Sequence, residues 1–189
     1  MKVRITLTGT APLLMHNVRL ANPLDPIARA MKETSGKRKK TDEDLERLAR
    51  LEFEGGLYVD DAGPYLPGAN VEKCLVEGAR VTRQGKQVER GLFVTDNEVP
   101  LIYDGPRDAD GLWADESFRS MMAVKVGTSR VMRCRPIFRS WVVEANAEMD
   151  GAQLNLDTLQ SIANDSGAMV GLGDYRPRYG RFTAEVEAL

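Results

Sequence analysis

The opening segment MKVRITLTGT constrains the fold more than any other stretch of the chain. Val3, Ile5 and Leu7 alternate with Lys2, Arg4 and Thr6, so a strand here is apolar on one face only, and helices must cover that face. A second strand of the same kind is SWVVEANAEM, where Trp141, Val143, Ala145 and Ala147 alternate with Val142, Glu144 and Asn146. RVMRCRPIF reads as an extended run just before it, and RFTAEVEAL as a closing strand.

The helices that can cover such strands carry clear signatures. The segment NVEKCLVEGARV, entered through Pro67–Gly68, places Val71, Cys74, Leu75 and Ala79 on one face. NLDTLQSIANDSGAM does the same with Leu156, Leu159, Ile162 and Met169. Earlier, Asp25 and Pro26 begin a short helix running to about Thr34, and Thr41 caps TDEDLERLARLEFEGG, with Leu45, Leu48, Leu51 and Phe53 as its apolar stripe. These two helices form a hairpin with GKRKK at its tip. GLFVTD and PLIYD read as strands, and Gly105 to Arg119 as a loop with a short helical piece. Collapsed to essentials, the order is βαββαβ. The expected fold is therefore α+β: a ferredoxin-like, RRM-like antiparallel sheet with two covering helices, in one domain over 1–189 with insertions at about 21–56 and 85–130.

Composition narrows the chemistry. With 42% hydrophobic and 29% charged residues among 189, the chain has ordinary globular proportions and is long enough to bury roughly 70% of its unfolded surface. Cys74 and Cys134 cannot build a disulfide framework or a four-cysteine metal site, and a reducing, cytoplasmic setting is expected. His16 is the single histidine, so no multi-histidine metal site or histidine relay is expected, and no cofactor is called for. No export signal or membrane span is read from the sequence. The net charge of -2 means that any nucleic-acid site must be local.

Positive charge is concentrated in a few places. GLGDYRPRYGRF, residues 171 to 182, sets Arg176, Arg178 and Arg181 beside Tyr175 and Tyr179 on a backbone hinged at Gly171 and Gly173. Guanidinium groups there can grip phosphates, the rings can stack on bases, and glycine amides can lie open. Pro177 stiffens the turn. An alternative reading has the glycines ending a helix, an arginine paired with a carboxylate such as Asp174, and the tyrosines plugging the sheet edge. Arg133 and Arg135 fall on one face of a strand, where they extend the track across an open sheet face or pair with Glu144 and Glu148. Lys37, Arg38, Lys39 and Lys40, and the segment Thr82 to Gln87, are backbone-gripping loops or solvated tips.

Three features in order resemble the RAMP superfamily of CRISPR effector proteins, especially the backbone subunits that coat guide RNA: the first strand running into APLLMHN, then PYLPGANVEKCL, then GLGDYRPRYGRF before the last strand. Together they touch about a quarter of the chain. The family loop usually ends in Gly-x-Gly, whereas here Gly180 is followed by Arg181 and Phe182. The resemblance implies non-catalytic binding of single-stranded RNA or DNA, head-to-tail homo-oligomerisation along the strand, and contacts with other effector subunits. A phage-encoded relative would share this physics with a different partner. Two alternatives stay open: an endoribonuclease of RAMP type using Asp25 or His16, and a filament-forming assembly protein without nucleic acid.

Overall fold

The computed structural model describes residues 1–189, the side chains of residues 126 and 129 excepted. In chain order the elements are β1 (Lys2–Gly9), β2 (Leu13–Leu14), α1 (Pro26–Ser35), α2 (Asp42–Gly56), β3 (Val59–Asp60), β4 (Gly63–Pro67), α3 (Gly68–Val81) and α4 (Gly85–Gly91). These are followed by β5 (Leu92–Val94), β6 (Glu98–Ile102), α5 (Ala109–Ala114), β7 (Arg119–Val126), β8 (Ser129–Phe138), β9 (Val142–Met149), α6 (Leu156–Met169) and β10 (Phe182–Ala188). Short 3-10 turns lie at Val18–Ala21 and Glu116–Phe118. The architecture is mixed α+β with mostly antiparallel strands. No helix among the described residues is long and apolar enough to cross a membrane.

The chain divides into two compact units: residues 1–14, 62–104 and 138–189 form the first, and 15–61 with 105–137 the second. In the first unit β1 lies between β9 and β10, antiparallel to both, and β9 continues on its far edge to β5 and to β6, which pairs with β4. The alternation read from the sequence sets the layers. Val3, Ile5 and Leu7 of β1 and Trp141, Val143, Ala145 and Ala147 in and beside β9 are all buried. Trp141 lies so close over Gly9 that a Cβ there would meet its indole nitrogen at 2.3 Å, and its Nε1–H donates to the Ala11 carbonyl at 2.9 Å.

α3 and α6 pack against each other at one tight crossing, where Gly78 leaves room for the Ser166 hydroxyl. Val71, Cys74, Leu75 and Ala79 are buried as the spacing predicts, and so are Leu159 and Ile162. Met169, in contrast, is 44% exposed, and Leu156 is only half-buried. Both stand at ends of α6, where the helix leaves the sheet it covers. Gly68 opens α3 because a side chain there would collide with the Asp96 carbonyl, 1.9 Å from the Cβ position. Residues 85–104 contribute α4, β5 and β6 to this unit, so Gly85–Gln87 begins a helix where the sequence suggests a gripping loop.

The second unit holds the helical hairpin and the β7–β8 hairpin. Asp25 caps α1 through the N–H groups of Ile27 and Ala28, with Pro26 in the first turn. Thr41 and Asp44 form a reciprocal capping box on α2. The buried face of α2 differs from the leucine stripe: Leu45 is 51% exposed, Leu48 and Leu51 are half-buried, and burial falls on Glu52, Phe53, Gly55 and Gly56. The reason is close approach. Cβ atoms at Gly55 and Gly56 would stand 2.5 Å from Leu20 Cδ2 and 3.1 Å from Pro136 Cδ, so the glycine end of the helix is the end that packs.

Candidate nucleic-acid interface

The segment between α6 and β10 is built on three glycines in the left-handed region, Gly171, Gly173 and Gly180, with φ of 78°, 74° and 71°. Each has a local cause. Gly171 follows the last turn of α6, and its N–H donates to the Ser166 carbonyl at 2.9 Å, so this amide ends a helix rather than lying open for a ligand. At Gly173 a Cβ would stand 2.3 Å from the Leu14 carbonyl, which accepts from the Asp174 N–H at 2.8 Å. Gly180 donates to Pro12 and accepts from Leu172, both at 2.8 Å. The base of the loop is thereby fastened to residues 10–14, where the N–H groups of Thr10 and Ala11 also donate to the Arg181 carbonyl.

Beyond this base the loop turns outward. Tyr175, Arg176, Pro177 and Arg178 are exposed, and Tyr179 is half-buried. Tyr175 holds a φ of 56°, a conformation that costs a non-glycine residue on the order of 1 kcal/mol, and its ring is 53% exposed. The Tyr175 and Tyr179 rings lie 5.9 Å apart and tilted, so neither tyrosine plugs the sheet edge as a lone core residue. Arg176 Nη1 lies 3.2 Å from Glu77 Oε2 on α3 and 3.4 Å from the Gly171 carbonyl. Arg181 Nε donates to the Pro177 carbonyl at 2.8 Å. Arg178 is exposed and has no side-chain partner among the described residues. The tip thus presents two tyrosines and three arginines on a rigid stem.

The other cationic residues do not join this loop in one unit. Arg133 and Arg135 lie on β8, whose partner is β7 in the second unit, and β8 is not a strand of the β10–β1–β9 sheet as expected. Local alternation puts the two arginines on one strand face but says nothing about which strand lies alongside. Arg133 pairs with the buried Glu52 at 2.9 Å, and the second Glu52 oxygen accepts from the Cys134 N–H at 2.8 Å. Arg135 is half-buried. Lys37, Arg38, Lys39 and Lys40 are exposed between α1 and α2, with Lys37 paired to Asp44 and Lys40 donating to the Lys37 carbonyl.

The open face of the first unit's sheet has the wrong sign for phosphate. Glu144 and Glu148, expected opposite Arg133 and Arg135, instead lie across from Thr6 and Lys2 on β1, and Glu185 and Glu187 of β10 flank Thr6 and Arg4. Four carboxylates against Lys2 and Arg4 leave this face acidic, so a phosphodiester chain would be repelled there. The positively charged surface of this unit is elsewhere. It is carried by the loop and by α3, whose exposed Lys73 and Arg80 stand one turn on either side of Glu77. Sequence reading passed over these two residues, although their i, i+7 spacing opposite Val71, Cys74 and Leu75 was available.

The candidate catalytic groups are engaged or isolated. Asp25 caps α1 and pairs with Arg19 at 2.9 Å; partial desolvation opposes its ionisation, but hydrogen bonds from Arg19, Ala28 and Ile27 hold its carboxyl below the ordinary range. His16 is exposed. Burial pushes the Cys74 thiol up to about 12 and the Cys134 thiol up to about 11, the opposite of what a nucleophile needs. Among the described residues no group of three or more His, Cys, Asp or Glu side chains is placed to hold a metal ion. Comparison of the chain with protein-family models and with curated proteins finds no match.

Proposed function

We propose that the protein binds single-stranded RNA or DNA through the sugar–phosphate backbone, at the loop between α6 and β10. The observation that carries this reading is the division of the loop into a glycine-anchored base and an exposed tip bearing Tyr175, Arg176 and Arg178. Fixing the base lowers the ordering cost of binding, the arginines supply charge-assisted hydrogen bonds to phosphate, and the rings stack on bases of any identity. Sequence preference is therefore weak. The strand order β10–β1–β9–β5, with α3 between β1 and β5 in the chain and α6 between β9 and β10, supports reading the first unit as ferredoxin-like. It supports the RAMP-like resemblance in the same way.

The test is a titration of labelled oligouridylate and oligothymidylate by the purified protein at several salt concentrations. The affinity should fall linearly on a log–log salt plot, with a slope of roughly -0.7 per neutralised phosphate. Replacing Arg176 and Arg178 together by Ala should weaken binding more than tenfold while shifting the thermal midpoint by no more than roughly 2 °C, since both residues are exposed. A folded double variant that binds like the parent would remove the loop from the function.

A further inference from the structure

We infer that the loop's binding surface continues onto the exposed face of α3, and that Glu77 within it is a displaceable anion holding Arg176 where a phosphate would otherwise sit. This rests on the proposed nucleic-acid reading of the loop and adds to it a second set of contacts and a built-in competitor.

The helix itself sets out the surface. Val71, Cys74, Leu75, Gly78 and Ala79 are buried, so the opposite stripe of α3 runs through Lys73, Glu77 and Arg80 at positions i, i+4 and i+7. The loop is registered against this stripe at two points. The Cys74 thiol donates to the Gly171 carbonyl at 3.2 Å, and one turn further on Glu77 meets Arg176. Lys73 and Arg80 are both exposed, and they span about 10 Å of helix axis, the length of about three stacked nucleotides. The stem of Arg80 is held beside Gly85, where a Cβ would stand 2.5 Å from its Cγ, so its direction is set by packing.

Within this group the charges of Lys73, Arg80 and Arg176 are opposed by Glu77 alone. The Glu77–Arg176 pair is open to solvent on both sides, with 30% and 37% of the side chains exposed, and such pairs hold weakly. A phosphate offers Arg176 a bidentate partner of higher charge. The carboxylate therefore parks the guanidinium in the free protein and gives way when a strand arrives, turning outward into water. Arg176 then binds the strand alongside Lys73 and Arg80.

Three variants in the oligouridylate and oligothymidylate titration test this. Glu77→Gln removes the competitor without changing shape and should tighten Kd by about threefold with a steeper salt slope. In an Arg176→Ala background the same change should give no such gain, because the parked group is gone. Lys73→Ala with Arg80→Ala should weaken binding by about threefold to tenfold and flatten the salt slope by about 1.4, two phosphates' worth. Equal tightening by Glu77→Gln with and without Arg176 would reduce Glu77 to a bulk charge effect and overturn the latch. If Arg176→Ala with Arg178→Ala abolishes binding while the α3 variants are silent, the loop stands and its extension falls. If the loop variant is silent as well, the nucleic-acid reading itself falls.

Discussion

Gly180 shows how a single residue determines whether the loop exists. Its φ of 71° is open to glycine, and a Cβ would stand 1.7 Å from the Leu172 carbonyl, whose own N–H donates to the Gly180 carbonyl. Gly180→Ala must therefore break that clasp or displace the strand that follows. Urea denaturation should show a loss of at least about 2 kcal/mol. Gly151→Ala is the control: it has no heavy atom within 4 Å and no left-handed φ, so it should change stability by about 0.5 kcal/mol or less. Cys74 makes a different prediction. Burial is the main cause that raises its folded value above the ordinary 9.0 to about 12, with Glu77 adding to it. The unfolded thiol therefore ionises first as pH rises. The stability this thiol contributes is complete below pH 9 and is lost between there and about 12, and Cys74→Ala should flatten that part of the alkaline unfolding curve. A thiol-alkylating reagent at pH 8 should leave both cysteines unmodified until the chain unfolds.

At the scale of elements, α2 is fastened by a charge. Glu52 is 4% exposed and serves two partners on β8, Arg133 through one oxygen and the Cys134 N–H through the other. Removing it leaves a guanidinium and an amide without their acceptor. Arg133 is about a third exposed and water relieves part of that loss, so Glu52→Ala should cost about 2–3 kcal/mol, less than a fully buried pair would. Urea unfolding monitored by the fluorescence of Trp113, whose ring meets Phe53 edge-on at 5.4 Å, would report this unit. A decrease below about 0.5 kcal/mol would make the pair ornamental. The same contact explains why Arg133 does not serve as a phosphate ligand: its charge is already committed to holding a hairpin against a helix.

For the molecule as a whole, the sequence made legible what is set locally and hid what is set by distant partners. The capping of α1 by Asp25 and of α2 by Thr41, the buried face of α3, and the alternation through Val143, Ala145 and Ala147 all follow from neighbours a few residues away, and all appear as read. The exposure of Leu45, the strand partner of Arg133, and the acidic face formed by Glu144, Glu148, Glu185 and Glu187 depend on which strand lies beside which, information that period and spacing do not contain. The loop was legible as unusual because glycine, arginine and tyrosine rarely share one short turn; its Glu77 partner, 99 positions away in the chain, was not. That same remoteness governs how the molecule comes into being. Both neighbours of β1 are distant in the chain, with Lys2 opposite Glu148 and Val3 opposite Ala188. On a ribosome adding about 5–20 residues per second, the apolar face and bare edges of β1 wait roughly ten to thirty seconds for their first mate. For that interval the nascent chain is a client for holdase chaperones, and its yield in a cell should depend on their supply more than its finished stability suggests.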